Sequence, residues 1–168
     1  MTGASTPSTP PVRLRPIAAA DQLFLCRVYA STRQSEMALV SWSEAEKEAF
    51  LRMQFEAQHS YYQDEFPKAA FQVIELEGRP IGRLYVDRRP DEIRLIDITL
   101  LPEFRNAGIG SQLLHDLLGE AAAADKPLRI HVERFNPALQ LYQRLGFRQV
   151  EERGAYYLME WSPNPPKL

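Results

Sequence analysis

The stretch Leu100–Leu114, LLPEFRNAGIGSQLL, joins an apolar, strand-like segment to an amphipathic helix through a short polar turn and a Gly-x-Gly pair. The first N–H groups of a helix have no intrahelical acceptor, and the helix dipole adds roughly half a positive charge there. Gly108 and Gly110 remove side chains that would keep an anion away, and Arg105 adds a formal positive charge. The stretch therefore predicts a site for a phosphate group.

Three kinds of phosphate site share this strand–turn–helix pattern. A P-loop requires Gly-Lys-Ser/Thr, whereas Gly110 is followed by Ser111 and Gln112. A dinucleotide-binding fold requires a third glycine, usually in the first βα turn, but Leu113 stands at that position and the turn lies late in the chain. The third kind, Arg-x-x-Gly-x-Gly over residues 105–110, holds a pyrophosphate without a metal. The remaining alternative is that this turn only caps the helix and binds no ligand.

Composition indicates one globular domain. The chain has 168 residues, of which 45% are hydrophobic and 25% charged, enough for a sizeable core. The formal net charge of -2 does not indicate a nucleic acid or an anionic membrane surface as partner. The first residues do not resemble a secretory signal, and no apolar run reaches the roughly 18 residues that cross a bilayer. We therefore predict a cytoplasmic protein with neither kind of partner.

Cysteine and histidine usage predicts no metal site. Cys26 and the three histidines, His59, His115 and His131, show no metal-ligand spacing. Cys26 lies in the apolar run LFLCRVY and is interpreted as a small buried hydrophobic residue.

Turn residues and hydrophobic periodicity divide the chain. Residues 1–11 and 162–168 are rich in proline; we interpret the first as a disordered N-terminal tail and the second as a C-terminal tail. Residues 12–161 form a single domain with the predicted order β-α-α-β-β-β-α-β-α-β-β, with a loop over residues 35–42. Helices and strands alternate in the second half, whereas the middle is a meander, so the fold class is α/β with a mixed sheet.

Capping residues predict the helix ends. Asp21 caps the first helix, and Ser43 with Glu46 forms a capping box at the second. Asn136 begins the last helix, and Gly146 ends it. The second helix is predicted to bury one stripe at helical spacing, made of Phe50, Met53, Ala57 and Tyr61.

Two motifs carry a resemblance to a known family. The segment LLPEFRNAGIGSQLLHDLL at residues 100–118, followed by NPALQLYQRLGF at residues 136–147, resembles the GNAT superfamily of acyl-CoA N-acyltransferases. Either motif alone is moderately specific for this family, and the two motifs in this order are strong evidence of the resemblance. The resemblance implies a GNAT-like domain: a mixed, mostly antiparallel central sheet of about six to seven strands flanked by about four helices.

For the residues themselves, the resemblance implies an acetyl-CoA site without a metal. Pantetheine would lie along the main chain of the strand end formed by Ile98, Thr99 and Leu100. The pyrophosphate would sit on the loop whose cofactor-binding residues are Arg105, Asn106, Ala107, Gly108, Ile109, Gly110 and Ser111.

The second motif implies a catalytic tyrosine. Tyr142 matches the family tyrosine that can protonate the departing thiolate. Many family members place an asparagine seven residues before it, where Phe135 stands here. Asn136, one residue later, is predicted either to contact pantetheine or to cap the helix.

The implied reaction is direct transfer of an acetyl group from acetyl-CoA to a primary amine in a ternary complex. The acceptor is a small-molecule amine or a protein amino group. A group must take the amine proton; Glu133 is the predicted base, and His131 and Asp97 are alternatives. The alternative function is a catalytically silent acyl-CoA-binding regulatory module on the same fold.

The acceptor side is predicted to involve the first two helices and the last hairpin. Candidate contacts are Tyr61, Tyr62, Tyr156 and Tyr157, with Asp64 and Glu65 as charges that could attract a cation. Because edge strands pair readily, the last hairpin also makes a homodimer a candidate assembly.

Overall fold

A seven-stranded mixed sheet forms the centre of the molecule. The computed structural model describes residues 9–165, with strands at Arg13–Pro16 (β1), Ala70–Leu76 (β2), Arg79–Arg88 (β3), Ile93–Leu100 (β4), Leu128–Glu133 (β5), Arg148–Arg153 (β6) and Tyr156–Trp161 (β7). Their spatial order is β1-β2-β3-β4-β5-β7-β6. The β4–β5 pair is parallel and every other neighbouring pair is antiparallel. The predicted α/β class with a mixed, mostly antiparallel sheet is confirmed, and the strands follow the predicted order along the chain.

Five helices accompany the sheet in the described residues, one more than expected. They are Gln22–Ser31 (α1), Gln34–Met37 (α2), Glu44–Glu65 (α3), Ile109–Ala124 (α4) and Leu139–Arg144 (α5). The extra helix, α2, is one turn inside the region predicted to be loop, and an ion pair from Arg33 to Glu36 at 2.9 Å supports it. Within residues 9–165, no helix is both long and apolar enough to cross a bilayer. Residues 1–8 and 166–168 of the predicted tails lie outside the described residues.

The sheet buries a core on each of its faces. On one face, leucines of α4 pack against apolar residues from β3, β4 and β5. On the other face, Leu25 and Tyr29 of α1 pack against Phe55 of α3. Because side chains alternate along a strand, Leu84 of β3 joins the α4 core, while its neighbour Arg83 reaches Gln58 of α3 on the other face.

The buried face of α3 differs from the predicted stripe. Met53 and Tyr61 are 59% and 58% exposed, whereas Phe55 is buried and Leu51 packs against it. The helix is apolar on two sides, so its own periodicity does not show which side faces α1 and the sheet. The stripe prediction was wrong because packing decides between the two sides.

One predicted helix cap holds and one does not. The hydroxyl of Ser43 accepts a hydrogen bond from the Glu46 N–H at 3.2 Å, as the capping box requires. The Asp21 carboxylate does not cap α1. It accepts two hydrogen bonds from Arg15 at 2.8 Å and one from the Ala18 N–H at 2.7 Å, because a bidentate guanidinium is a stronger partner than a helix amide.

The glycine in the middle of the sheet generates a stability prediction. A β-carbon on Gly82 would overlap the carbonyl oxygen of Thr99 and lie 2.9 Å from the Leu100 side chain. We expect Gly82→Ala to lower the free energy of unfolding by about 2 kcal/mol, as overpacking does. Urea unfolding measures the change.

A matched glycine provides the control. Gly119 lies inside α4, and a β-carbon added to it would meet no other atom within 4 Å. Gly119→Ala should therefore stabilise the protein by about 0.5–1 kcal/mol, the helix-propensity gain. Wild-type stability in Gly82→Ala would contradict the close approach of β3 and β4.

Candidate functional site

The sheet opens between β4 and β5. Their pairing covers only Ile93–Leu95 with Leu128–Ile130. On the β3 side, Tyr85 pairs with Asp97 and Val86 pairs with Leu95, which leaves Ile96 of β4 unopposed as a β-bulge. The two strands therefore separate just beyond the bulge, and the last residues of β4 line a gap.

Main-chain groups of β4 point into this gap. The Leu101 N–H donates to the Ile81 carbonyl at 2.9 Å, so residue 101 faces β3. Because alternate residues of a strand direct their N–H and C=O groups to opposite sides, Thr99 also faces β3. Ile98 and Leu100 then present their main chains to the gap, where an extended ligand can pair with them.

The Gly-rich loop is held in left-handed backbone conformations. Asn106 and Gly108 have φ of 63° and 84°, and the second value favours glycine. The first hydrogen bond of the helix joins the Gln112 N–H to the Gly108 carbonyl at 3.0 Å. The N–H groups of residues 109–111 therefore have no intrahelical acceptor and are available to an anion. A β-carbon on Gly110 would come no closer than 4.0 Å to its nearest neighbour, a Leu100 methyl, so the approach to the loop is open there.

The side chains of Ile109 and Arg105 point away from the anion site predicted at this loop. Ile109 is buried in the α4 core and offers only its main chain. The Arg105 Nε donates to the Leu100 carbonyl at 2.9 Å, and its Nη2 lies 3.4 Å from the Ser31 hydroxyl of α1. The Arg105 guanidinium thus spans the end of β4 and α1 and does not extend over the loop. Ser31 and Leu101 also line a cleft of about 680 Å³ on this side of the sheet.

Tyr142 is positioned by the end of α5. Gly146 has φ 97°, the Phe147 N–H donates to the Tyr142 carbonyl at 3.0 Å, and the Gly146 N–H donates to the Gln143 carbonyl at 3.1 Å. This is a Schellman motif with its accompanying apolar contact, since the rings of Tyr142 and Phe147 are 5.4 Å apart. The predicted stop at Gly146 is confirmed, and it is what aligns the tyrosine.

Burial controls the chemistry of Tyr142. The side chain is buried, and burial raises the pKa of its phenol above the ordinary value, with the negative charge of Asp97 adding to the rise. The hydroxyl therefore keeps its proton throughout the neutral range.

Asn136 serves the turn before α5. Its side-chain oxygen accepts a hydrogen bond from the Ala138 N–H at 2.9 Å, and the helix begins at Leu139. The predicted helix start is displaced by a few residues, because residues 136–139 first form a turn closed by the Leu139 N–H to Asn136 carbonyl bond. Phe135, at the position where many family members have the asparagine, is 93% exposed.

An ion pair that the sequence pattern did not specify lies beside the bulge. Arg83 is 2% exposed; its Nη2 donates to Asp97 Oδ2 at 2.8 Å and to Gln58 Oε1 at 2.9 Å. The Thr99 hydroxyl donates to the other Asp97 oxygen at 2.6 Å. Arg83 is flanked by Gly82 and Leu84, and Asp97 by Ile96 and Ile98; a charge between such neighbours was the signal available for pairing them.

The other two candidate bases also face arginines. Glu133 is 44% exposed at its side chain, and its Oε1 accepts a hydrogen bond from Arg33 at 3.2 Å. His131 lies on the same face of β5, with its Nδ1 3.0 Å from Nη1 of Arg94. Burial lowers the pKa of His131, and Arg94 adds to the effect.

The candidate acceptor tyrosines divide between different surfaces. Tyr62 packs edge-on against Tyr85, with ring centroids 6.1 Å apart, and burial raises its pKa, with further influence from Asp97. Tyr156 pairs across the strands with Glu133. Tyr157 packs against the α4 core, and Tyr61 points outward from α3. Asp64 and Glu65 are exposed at the end of α3.

Within residues 9–165, no group of three or more His, Cys, Asp or Glu side chains is placed to hold a metal ion.

Known proteins share this domain and this fold. Residues 67–149 match a family model described as an acetyltransferase (GNAT) domain. The chain is 34% identical over 68 residues to the ribosomal protein bS18-alanine N-acetyltransferase of Haemophilus influenzae, covering 40% of this chain and 47% of that protein. It is 31% identical over 84 residues to the mouse cysteine-rich protein 2-binding protein, covering 48% of this chain and 10% of that protein. The matched region thus spans from a tenth to about half of these curated relatives.

A solved structure has the same architecture. The PaiA N-acetyltransferase of Thermoplasma acidophilum, in complex with coenzyme A, superposes with a TM-score of 0.68 over 90% of this chain and 99% of that chain, at 19% sequence identity. At this identity the similarity shows a common fold.

The buried ion pair generates a stability prediction. We expect Asp97→Ala to lower the free energy of unfolding by about 3–5 kcal/mol, because it leaves the Arg83 guanidinium buried without a counter-charge. Replacing both partners, Arg83→Met with Asp97→Leu, should recover most of that loss. Urea unfolding measures each variant.

A half-exposed pair supplies the contrast. Arg33→Ala breaks the contacts with Glu133 and with Glu36, and exposed or half-exposed pairs of this kind are expected to contribute no more than about 1 kcal/mol each. Equal losses in Asp97→Ala and Arg33→Ala would contradict the buried character of the Arg83–Asp97 pair.

Proposed function

Because this chain belongs to the GNAT superfamily, we propose that it is an N-acetyltransferase that moves an acetyl group from acetyl-CoA to a primary amine by direct transfer in a ternary complex. One observation carries the proposal: β4 separates from β5 just beyond the Ile96 bulge. After one 3-10 turn at Pro102–Phe104, the chain enters a loop in which Asn106 and Gly108 are left-handed and which ends at the start of α4. An extended chain bearing a diphosphate fits a gap lined by main-chain groups that ends in free amides.

The residues present fit coenzyme A. The main chains of Ile98 and Leu100 would hold the pantetheine arm, with Thr99 between them. The N–H groups of the loop, predicted as Arg105, Asn106, Ala107, Gly108, Ile109, Gly110 and Ser111, would hold the diphosphate. Gly108 supports this fit, because its positive φ, which favours glycine, turns the chain toward the start of α4. Asn136 stays a candidate contact, with its side chain engaged in the turn before α5.

Bound acetyl-CoA supplies the acetyl group as an activated thioester. The Tyr142 hydroxyl would then act as the acid: a phenol carries its proton at neutral pH, burial raises its pKa further, and the hydroxyl can donate to a developing thiolate. A main-chain N–H of β4 near Leu100 would polarise the acyl oxygen. Much of the rate would come from holding the two reactants side by side.

Glu133 is the proposed base. Only Oε1 of its carboxylate is engaged by Arg33, and within the described residues no hydrogen bond reaches Oε2. By contrast, both oxygens of Asp97 already accept hydrogen bonds. A base needs a lone pair directed at the incoming amine, so Glu133 is better placed than Asp97 to take its proton.

The acceptor would approach from the α1–α3 face of the sheet. Tyr62, Tyr156 and Glu133 lie on this face and combine aromatic surface with negative charge, which suits a cationic amine. The relative named for the alanine of a ribosomal protein supports a protein α-amino group as one acceptor class, and such an acceptor would place the reaction in the cytoplasm. A small-molecule amine is the other class. The edge strand β6, exposed along its whole length, supports a homodimer.

One observation favours a second function, a silent acyl-CoA-binding module. Each of the three candidate bases contacts an arginine. In such a module, these contacts would hold structure and would not direct a lone pair at a substrate.

The first test is cofactor binding. Acetyl-CoA at 100 times its dissociation constant stabilises a folded protein by about 2.7 kcal/mol, so the melting temperature should rise by about 5–10 °C. Gly108→Ala should weaken binding at least tenfold, because its φ is strained for alanine. Gly154→Ala carries the same type of strain in the distant β6–β7 turn and should bind normally. The absence of any shift in the wild type would refute the proposal.

The second test separates enzyme from binding module. Tyr142→Phe should lower kcat by about a hundredfold while the Kd for acetyl-CoA stays within about threefold, as followed by thiol release over a panel of amines. Glu133→Gln should lower kcat similarly, whereas Asp97→Asn should mainly lower stability. No thiol release with any amine, together with tight acetyl-CoA binding, would favour the silent module.

A further inference from the structure

The segment before β1 crosses the start of α4. Arg13 at the start of β1 pairs with Glu75 near the end of β2. The end of β2 lies at the same end of the sheet as the pair formed by Gly82 and Leu100. The chain preceding Arg13 therefore emerges at the end of the sheet where β4 ends. There Thr9–Val12 lines a groove of about 430 Å³ together with Ile109, Gln112 and Asp116 of α4.

Thr9 comes closest to the Gly-rich loop. A β-carbon on Gly108 would lie 2.9 Å from the Thr9 hydroxyl oxygen, so this hydroxyl packs against the bare face of the glycine. Pro10 and Pro11 follow, and their rings restrict φ, which stiffens the segment that carries Thr9. Val12 then packs against the α4 core and anchors it.

The loop needs a donor of this kind. A diphosphate carries only hydrogen-bond acceptors, and the N–H groups of residues 109–111 approach it from one direction, along the helix axis. The cation expected beside them, Arg105, is engaged by the Leu100 carbonyl and lies near Ser31. Asp116, the carboxylate in the groove, accepts a hydrogen bond from the Gln112 amide at 3.0 Å. The Thr9 hydroxyl is thus a hydrogen-bond donor that lies beside Gly108 of the loop.

We propose that Thr9 is a further cofactor-binding residue, whose hydroxyl donates to the diphosphate of coenzyme A, and that Thr9–Val12 forms the outer wall of that site. The inference rests on the proposed function, because it assigns the ligand of the Gly108 loop. It adds a residue from the chain's first segment to a site otherwise built from β4, α4 and α5.

Isothermal titration calorimetry with coenzyme A tests the proposal. Thr9→Val keeps the shape and removes the hydroxyl, and we expect it to raise the Kd by at least about tenfold, as the loss of a hydrogen bond to a charged group does. Thr9→Ser keeps the hydroxyl and should stay within about twofold of wild type. Equal melting temperatures of the three proteins without ligand show that the variants are folded.

Dephospho-CoA locates the contact. This probe keeps the diphosphate but lacks the 3′-phosphate, so Thr9→Val should weaken its binding by the same factor as for coenzyme A. A penalty that disappears with dephospho-CoA would place Thr9 at the 3′-phosphate and overturn the assignment. Unchanged or tighter coenzyme A binding by Thr9→Val would also overturn it, the latter by showing that the segment obstructs the site. Absence of binding by the wild type would refute the proposed function itself.

Discussion

The separation of β4 from β5 at the Ile96 bulge is the constraint on which the site depends. A parallel pair continued to the end of both strands would satisfy the main chains of Ile98 and Leu100 within the sheet. The bulge ends the pairing after Leu95 and leaves those groups facing a gap, where the Arg105 guanidinium already donates to the Leu100 carbonyl. The cost of unpaired main chain is tolerable only where a ligand or water satisfies it, so the gap is itself an argument for a ligand with an amide-bearing arm.

The polar groups around the gap divide according to burial. Arg83 and Asp97 are enclosed, and Gln58 and Thr99 add one hydrogen bond to each of them, so their position is rigid and their separation costly. Glu133 is half-exposed and has a single arginine contact, so it can exchange partners when an amine arrives. A rigid ion pair behind the gap and an adaptable carboxylate at its mouth suit a site that holds one reactant firmly and admits varied acceptors.

The opposite edge of the site depends on glycine conformation. Gly108 turns the loop toward α4, and Gly146 ends α5 so that Tyr142 packs on Phe147. Both residues adopt positive φ, which other residues resist. Each of the two motifs that carried the family resemblance therefore contains a position where the backbone itself is constrained, and this helps to explain why they could be recognised in a single sequence.

The sequence by itself determined the α/β class, the order of the strands and of every helix except α2, the Gly-rich loop at the start of α4 and the helix stop at Gly146. These features depend on local patterns: hydrophobic period, turn residues and capping. Only the tertiary structure decided that α3 buries Phe55 instead of Met53, that Asp97 pairs with Arg83, that Arg105 turns toward Leu100, and that Thr9 reaches Gly108. Each of those outcomes is a contact between elements whose separate patterns allowed more than one arrangement, and packing selected among them.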